Sequence, residues 1–443
     1  MFQHAEPESE NSSFNPIIIS TESTSNFETP RPKESTVKSF TIVENHTNGP
    51  VAKKRRLDPP IFNFFPSTKP TSTREEKLCA LVNAFLASGI DLDDIASTHW
   101  KEFVNYFEPE FVFPEKQEFA TTFVQKAEKK YYDNLTAQGF QSFCYVYTEE
   151  VEGQVFVFSF AVTKSYKQIF LCSEIFNKDD CEEVLKCQLE AFCDTTVEHF
   201  ATKYERSLKY VVYDGKLTLD DVGKVNDQTY FRLNCFSTLI HRLKKEHDPW
   251  HINSSTFEQE HKKITEYYKS VDDLNEKMVE SRCSVGEGAE KAMELLQTYP
   301  KILNVTINDI IKLTLRPAVL GANYLNPKYK GRLTFKEPNL YDLMMDEFIH
   351  DACPPEGFDA FFDYTEASKD FEEFFRFTDD PLKFWMIAKR KHPECSNFAL
   401  DLLAIPAVMP TVNKERLRKR QQKWSCDLSL QAFALTLVAN DSC

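Results

Sequence analysis

Cysteine and histidine are the residues most able to hold a metal here, but their spacing does not suit one. Zinc takes closely spaced Cys or His pairs, and the sequence has no Cys-x-x-Cys. Cys181, Cys187 and Cys193 recur every six residues, which scatters them around a helix. His247 and His251 flank Asp248-Pro249-Trp250, a turn signal rather than a metal helix. No metal ion and no cofactor are therefore expected. The 11 glycines are too few for a Gly-rich phosphate-binding enzyme.

Cationic residues offer different chemistry. Lys53, Lys54, Arg55 and Arg56 form a cluster between Pro50 and Pro59-Pro60. A basic cluster on an extended segment suits the acidic grooves of a nuclear import receptor; a solvated charge run is the plainer alternative. A second basic set is Lys389-Arg390-Lys391 with Lys414, Arg416, Arg418, Lys419, Arg420 and Lys423. The net charge of −15 repels nucleic acid unless basic residues cluster. Arg416, Arg418, Lys419 and Arg420 are thus the candidate nucleic-acid contacts, salt-sensitive and weakly selective. Their alternative is a solvated helix face. The 12 cysteines show no regular disulfide spacing, and reduced thiols in cytosol or nucleus are expected. No run of about 18 apolar residues predicts a membrane span.

The elements that must position these residues follow from periodicity. Residues 1–72, rich in Ser, Thr, Pro, Asn and Glu, read as a disordered tail. Within it Ile61-Phe62-Asn63-Phe64-Phe65 is an apolar island, either a docking peptide or a segment packed on the domain. Residues 73–138 read as a helical subdomain. Thr73 and Glu76 have capping-box spacing, and Leu78, Leu81, Val82, Phe85 and Leu86 share one helical face before Gly89. A short helical stretch follows near Ile95–Phe107, and Lys116–Leu135 reads as a third helix.

Residues 139–250 switch to period two. Strands are predicted at 143–147, 155–162 and 168–171, an antiparallel meander. A helix from about Asp180 leads to a strand at 208–213. A helical stretch near Leu219–Val225 leads to a strand at 230–233, and Cys235–Lys245 reads as a helix. The predicted order is βββαβαβα, that of an α/β fold with an RNase H-like mixed sheet. Residues 251–380 read as an all-α insertion, with helices marked by Ile264, Tyr267, Tyr268, Val271 and Leu274 and by Ala289–Leu296. Its end, 342–380, carries 13 acidic residues against Lys369 and Arg376, a local net charge of −11, and part of it is expected to be a mobile loop. Residues 381–443 close the chain; the stretch Leu428–Val438 fits alternation and helical periodicity about equally.

Three segments resemble the hAT transposase superfamily. Asp380-Pro381-Leu382-Lys383-Phe384-Trp385 through Phe398-Ala399-Leu400-Asp401-Leu402-Leu403-Ala404-Ile405-Pro406-Ala407 is similar to the family's C-terminal dimerisation signature. Ala322-Asn323-Tyr324-Leu325-Asn326-Pro327-Lys328-Tyr329-Lys330-Gly331 looks like its Leu-Asp/Asn-Pro-Arg/Lys-Tyr element. Leu81–Pro114 resembles its helical segment before the catalytic domain. The resemblance covers roughly residues 75–440 and implies an RNase H-like domain completed by residues 381–443. It also implies a homodimer built on Phe384, Trp385, Phe398, Leu402, Leu403, Phe433 and Leu437.

The resemblance further implies two Asp and one Glu holding two divalent cations, because hard cations need anionic oxygen ligands. The first Asp belongs near Tyr145–Tyr147, where there is none; Glu149 and Glu150 are the nearest acids. The second position is Asp214, either a relic ligand or a strand-end turn residue. The third is Asn413, a neutral amide, with Glu415 two residues further on. The family's Cys-x-x-His pair is broken, since Thr238 follows Cys235 at that spacing, with His241 beyond it. Its opening zinc finger is not expected, because residues 1–72 contain no cysteine. The expectation is a catalytically inactive nuclear protein that dimerises and bridges partners in chromatin or transcriptional regulation. One alternative is sequence-tolerant DNA binding by the basic C-terminal segment. Another is a residual metal-dependent nuclease using Asp214, Glu149 or Glu150, and Glu415.

Overall fold

A computed structural model describes residues 73–441 except 89, 91–96, 239, 241–264, 267–268, 275, 279–282, 299–314, 337 and 424–427. The basic cluster Lys53–Arg56, the 1–72 tail, His241, His247 and His251 lie outside the described residues.

Strands β1 (Phe140–Val151), β2 (Gln154–Thr163) and β3 (Gln168–Asn177) form the antiparallel meander. Glu152 and Gly153 link β1 to β2 with φ of 49° and 78°, the left-handed pair that closes a two-residue hairpin. Helix α4 (Glu182–Tyr204) then crosses to β4 (Tyr210–Tyr213), parallel to β1. Among the described residues, helices α1 (Arg74–Ser88), α2 (Thr98–Phe107) and α3 (Val124–Thr136) precede the sheet. Thr73 and Glu76 form the capping box of α1 through bonds of 3.0 and 3.2 Å between each backbone N–H and the other's side chain.

The stretch expected as a helical crossover at Leu219–Val225 is instead strand β5 (Val222–Val225), hairpinned onto β6 (Gln228–Asn234). Asn226 and Asp227 take φ of 47° and 64° in its two-residue turn. Gly223 is required there, because the Tyr230 ring lies where its β-carbon would be. The six-stranded sheet runs β3-β2-β1-β4-β6-β5, with β1, β4 and β6 parallel. The fold is thus mixed α/β.

Both faces of this sheet are covered, so its strands are apolar on both sides. Cys144, Val146, Val157, Ala161 and Val211 face α4 through Leu189, Phe192, Val197 and Phe200. Phe143, Tyr145, Tyr147, Phe158 and Phe160 face the other core, shared with helices of the later part of the chain. That second face absorbs much of the phenylalanine.

Helices on that face include α5 (Val285–Thr298), α6 (Pro317–Leu325), α7 (Pro338–Met344), α8 (Phe358–Thr365), α9 (Lys369–Phe377), α10 (Pro381–Ala388) and α11 (Pro393–Leu403). Of the earlier helix expected in the insertion, Val271 and Leu274 are buried, and Ile264, Tyr267 and Tyr268 lie outside the described residues. The acidic stretch expected as partly a loop is largely helical. Phe371 and Phe374 of α9 turn inward onto Phe384, while Glu372 and Glu373 stay exposed.

Helices α12 (Lys414–Lys423) and α13 (Leu428–Asp441) close the chain, settling the ambiguous last stretch as helix. Phe433 and Leu437 of α13 join Leu78, Val82 and Phe85 of α1 in one core. The helical subdomain and the C-terminal segment are therefore packed together rather than separate. No described helix is long and apolar enough to cross a membrane.

Candidate functional site

The first two acid positions implied by the resemblance lie on adjacent strands, where β1 and β4 stop pairing. Parallel pairing of β1 with β4 sets Val146 beside Tyr213. The next N–H along, that of Asp214, donates to the Val146 carbonyl at 3.2 Å. This puts Asp214 against Thr148, whose N–H and hydroxyl donate to Asp214 Oδ1 at 2.7 and 3.2 Å.

The chain returns from the helical insertion beside them. The Ile405 carbonyl accepts from Val285 N–H, Ala407 N–H donates to the Cys283 carbonyl, and Phe236 N–H donates to the Ala407 carbonyl. The Tyr147 hydroxyl donates to the Pro410 carbonyl at 3.1 Å. These ties deliver the first turn of α12 to the end of β1. Asn413 caps that helix, its side-chain oxygen accepting from Arg416 N–H at 3.0 Å.

Lys414 then fills the place between the strands. Its ammonium pairs with Asp214 Oδ2 and donates to the Thr148 carbonyl at 2.8 Å. Asp214 is largely buried, and both its oxygens are engaged within the chain. Neither Lys414 nor Thr148 was singled out in the sequence, where Lys414 reads as one member of a basic run.

The other acids have separate partners. Glu149 faces Arg418 at 3.7 Å, and burial raises its carboxyl above the ordinary 4.5 although Arg418 and Lys414 pull it down. Glu150 takes Lys216 at 2.8 Å and Lys178 at 3.0 Å, and the Lys216 hydrogen bond holds it below the ordinary value. Glu415 pairs with Lys419 one helical turn along, which lowers its carboxyl. Among the described residues no three His, Cys, Asp or Glu side chains are grouped to hold a metal ion. The residues do not fit a pair of divalent cations: the one carboxylate at the expected place is already neutralised by an ammonium, the first-acid position is aromatic, and Asn413 is committed to a helix cap.

Cys235 and Thr238 serve the same scaffold. The Cys235 sulfur accepts from Met409 N–H at 3.3 Å, and the Thr238 hydroxyl donates to the Asp214 carbonyl at 3.2 Å.

The four candidate nucleic-acid contacts are divided by the fold. Arg416 and Arg420 both donate to the Ala87 carbonyl in the last turn of α1, where cations favour the helix dipole. Arg418 is held toward Glu149, its guanidinium 5.8 Å from the centre of the Phe156 ring. Lys419 alone of the four is exposed. Three of them therefore have partners within this chain.

The residues expected at a dimer face are also engaged within the chain. Phe384, Trp385, Phe398, Leu402, Leu403, Phe433 and Leu437 are all buried in the chain's own core. The Trp385 indole N–H donates to the Leu325 carbonyl at 2.8 Å, joining α10 to the end of α6. Asn323 in turn donates to the Gly286 carbonyl and to Glu290, each at 3.0 Å.

No family model matches the chain, and no curated protein matches it.

Proposed function

We propose that this chain is a descendant of a hAT-type transposase that has lost catalysis and serves as a dimerising interaction protein in the nucleus, in chromatin or transcriptional regulation. The observation that carries the reading is the Lys414 ammonium on Asp214. A fixed side-chain cation stands where that ancestry would have a mobile ion. Removing an ion from a carboxylate site leaves uncompensated charge, and a lysine from the adjoining helix compensates it without metal.

The sheet supports the ancestry. An antiparallel β3-β2-β1 meander extended by parallel β4 and β6 is compatible with an RNase H-like domain, although the β5 hairpin replaces the expected helical crossover. Two of the three resembling segments also touch, through Trp385 and Leu325. The dimer implied by the resemblance has to use side chains other than the seven buried ones.

Incubating the purified chain with labelled duplex DNA and Mg²⁺ or Mn²⁺ tests the loss of catalysis. No cleavage above that of Asp214→Asn is expected. Metal-dependent cutting that disappears in Asp214→Asn would restore the enzyme reading. Sedimentation at micromolar concentration tests the dimer, and monomer alone would remove it. Nuclear import is tested by alanine replacement of Lys53, Lys54, Arg55 and Arg56 in a fluorescent fusion; unchanged nuclear accumulation would remove that part.

A further inference from the structure

We infer that a groove between the start of β1 and helices α10–α11 binds a short acidic peptide of a partner protein, one carrying apolar side chains among its carboxylates. The groove lies apart from the Asp214 site, and the inference does not rest on the proposed ancestry.

The groove has a volume of about 700 Å³. Leu382 and Met386 project into it from α10, four residues apart and so on one helix face. They are 40% and 65% exposed, an apolar shelf left open by the described residues. Four cations line the same groove. Lys164 and Arg206 converge on its rim: both come within 3.9 Å of where a β-carbon on Gly139 would lie. Lys389 stands exposed one turn beyond Met386. Lys209 completes the set and pairs with Asp401, the groove's lone carboxylate, at 2.8 Å. The Ser142 hydroxyl, also in the lining, is buried without a hydrogen-bond partner.

Charge decides the occupant. In a chain of net charge −15, four cations against one carboxylate form a local positive field around an apolar shelf. A phosphate backbone would answer the cations but leave Leu382 and Met386 in water. An acidic peptide with interleaved Leu, Phe, Met or Trp answers both. Its carboxylates meet Lys164, Arg206 and Lys389, and its apolar side chains cover the shelf.

The test presents the full chain with a displayed library of random peptides of about twelve residues. Retained peptides should interleave Asp or Glu with large apolar residues. A fluorescein-labelled member should lose affinity by about tenfold or more in Arg206→Glu/Lys389→Glu and in Met386→Asp. Because these residues are exposed, circular dichroism and thermal unfolding should stay unchanged. Four results would overturn the inference. The library could yield no net-acidic peptides. The charge-reversed variant could bind as well as the parent. A single-stranded oligonucleotide of about 20 nucleotides could displace the peptide at lower concentration than unlabelled peptide does. The variant could also turn a dimer into a monomer without affecting peptide binding, which would make a second copy the occupant.

Discussion

Lys414 sits on the carboxylate of Asp214 and at the same time donates to the carbonyl of Thr148 at 2.8 Å. One ammonium therefore joins the parallel strands β1 and β4, just past their paired stretch, to the first turn of α12. This makes it a structural clamp as well as a counter-ion.

Replacing Lys414 with Met should lower the unfolding free energy by about 1–3 kcal/mol, because Asp214 would remain largely buried with only Thr148 as partner. The double variant Asp214→Asn/Lys414→Met should recover part of that loss, since no orphan charge remains. Urea unfolding measures both. A single variant as stable as the parent would show that the clamp contributes nothing.

Two neighbouring carboxylates should respond to pH in opposite senses. Glu149, raised by burial, binds its proton more tightly in the fold than in the unfolded chain. Stability is therefore lost as pH rises from the ordinary carboxylate value through the raised one. Glu149→Gln should be more stable than the parent at neutral pH and no different below that window. Glu150, lowered by the Lys216 hydrogen bond, contributes stability above its unfolded value that is lost as pH falls through the folded one. Glu150→Gln should be less stable at neutral pH and equal in strong acid. Thermal unfolding across acid to neutral pH checks both, and a shared sign would contradict the assignment.

Trp385→Phe should cost about 1–3 kcal/mol by leaving the Leu325 carbonyl buried and unpaired. Its sedimentation should match the parent's, because the side chain lies inside the chain. A change in association state at unchanged stability would return Trp385 to an interface.

Gly286 lies at the crossing of α5 and α6, where a β-carbon would come within 2.5 Å of the Ala322 carbonyl oxygen. Backbone cannot yield as a side-chain tip can. Gly286→Ala should therefore destabilise by about 1–3 kcal/mol, read by denaturant unfolding.

What could be read from sequence was whatever repeats with a short period. The apolar runs at 155–162 and 208–213 marked strands correctly, and Thr73 with Glu76 marked a helix start. The Leu219–Val225 misreading had a usable warning. Asn226-Asp227 is a two-residue hairpin turn signal, and the crossover reading passed over it. Asp214 follows β4, as the apolar run before it implied. Its partner Lys414, 200 residues away, could not be foreseen, because that contact exists only through the path of Ile405–Pro410. The seven aromatic and aliphatic residues assigned to a dimer face show the same limit. Periodicity says that a face is buried but not whether this chain or another buries it.

Calorimetric titration of Mn²⁺ into the chain at neutral pH tests the central claim most directly. With Lys414 already on Asp214, we predict no site-specific heat at millimolar Mn²⁺, and none gained by the parent over Asp214→Asn. Two equivalents of Mn²⁺ bound by the parent and lost in Asp214→Asn would contradict the account.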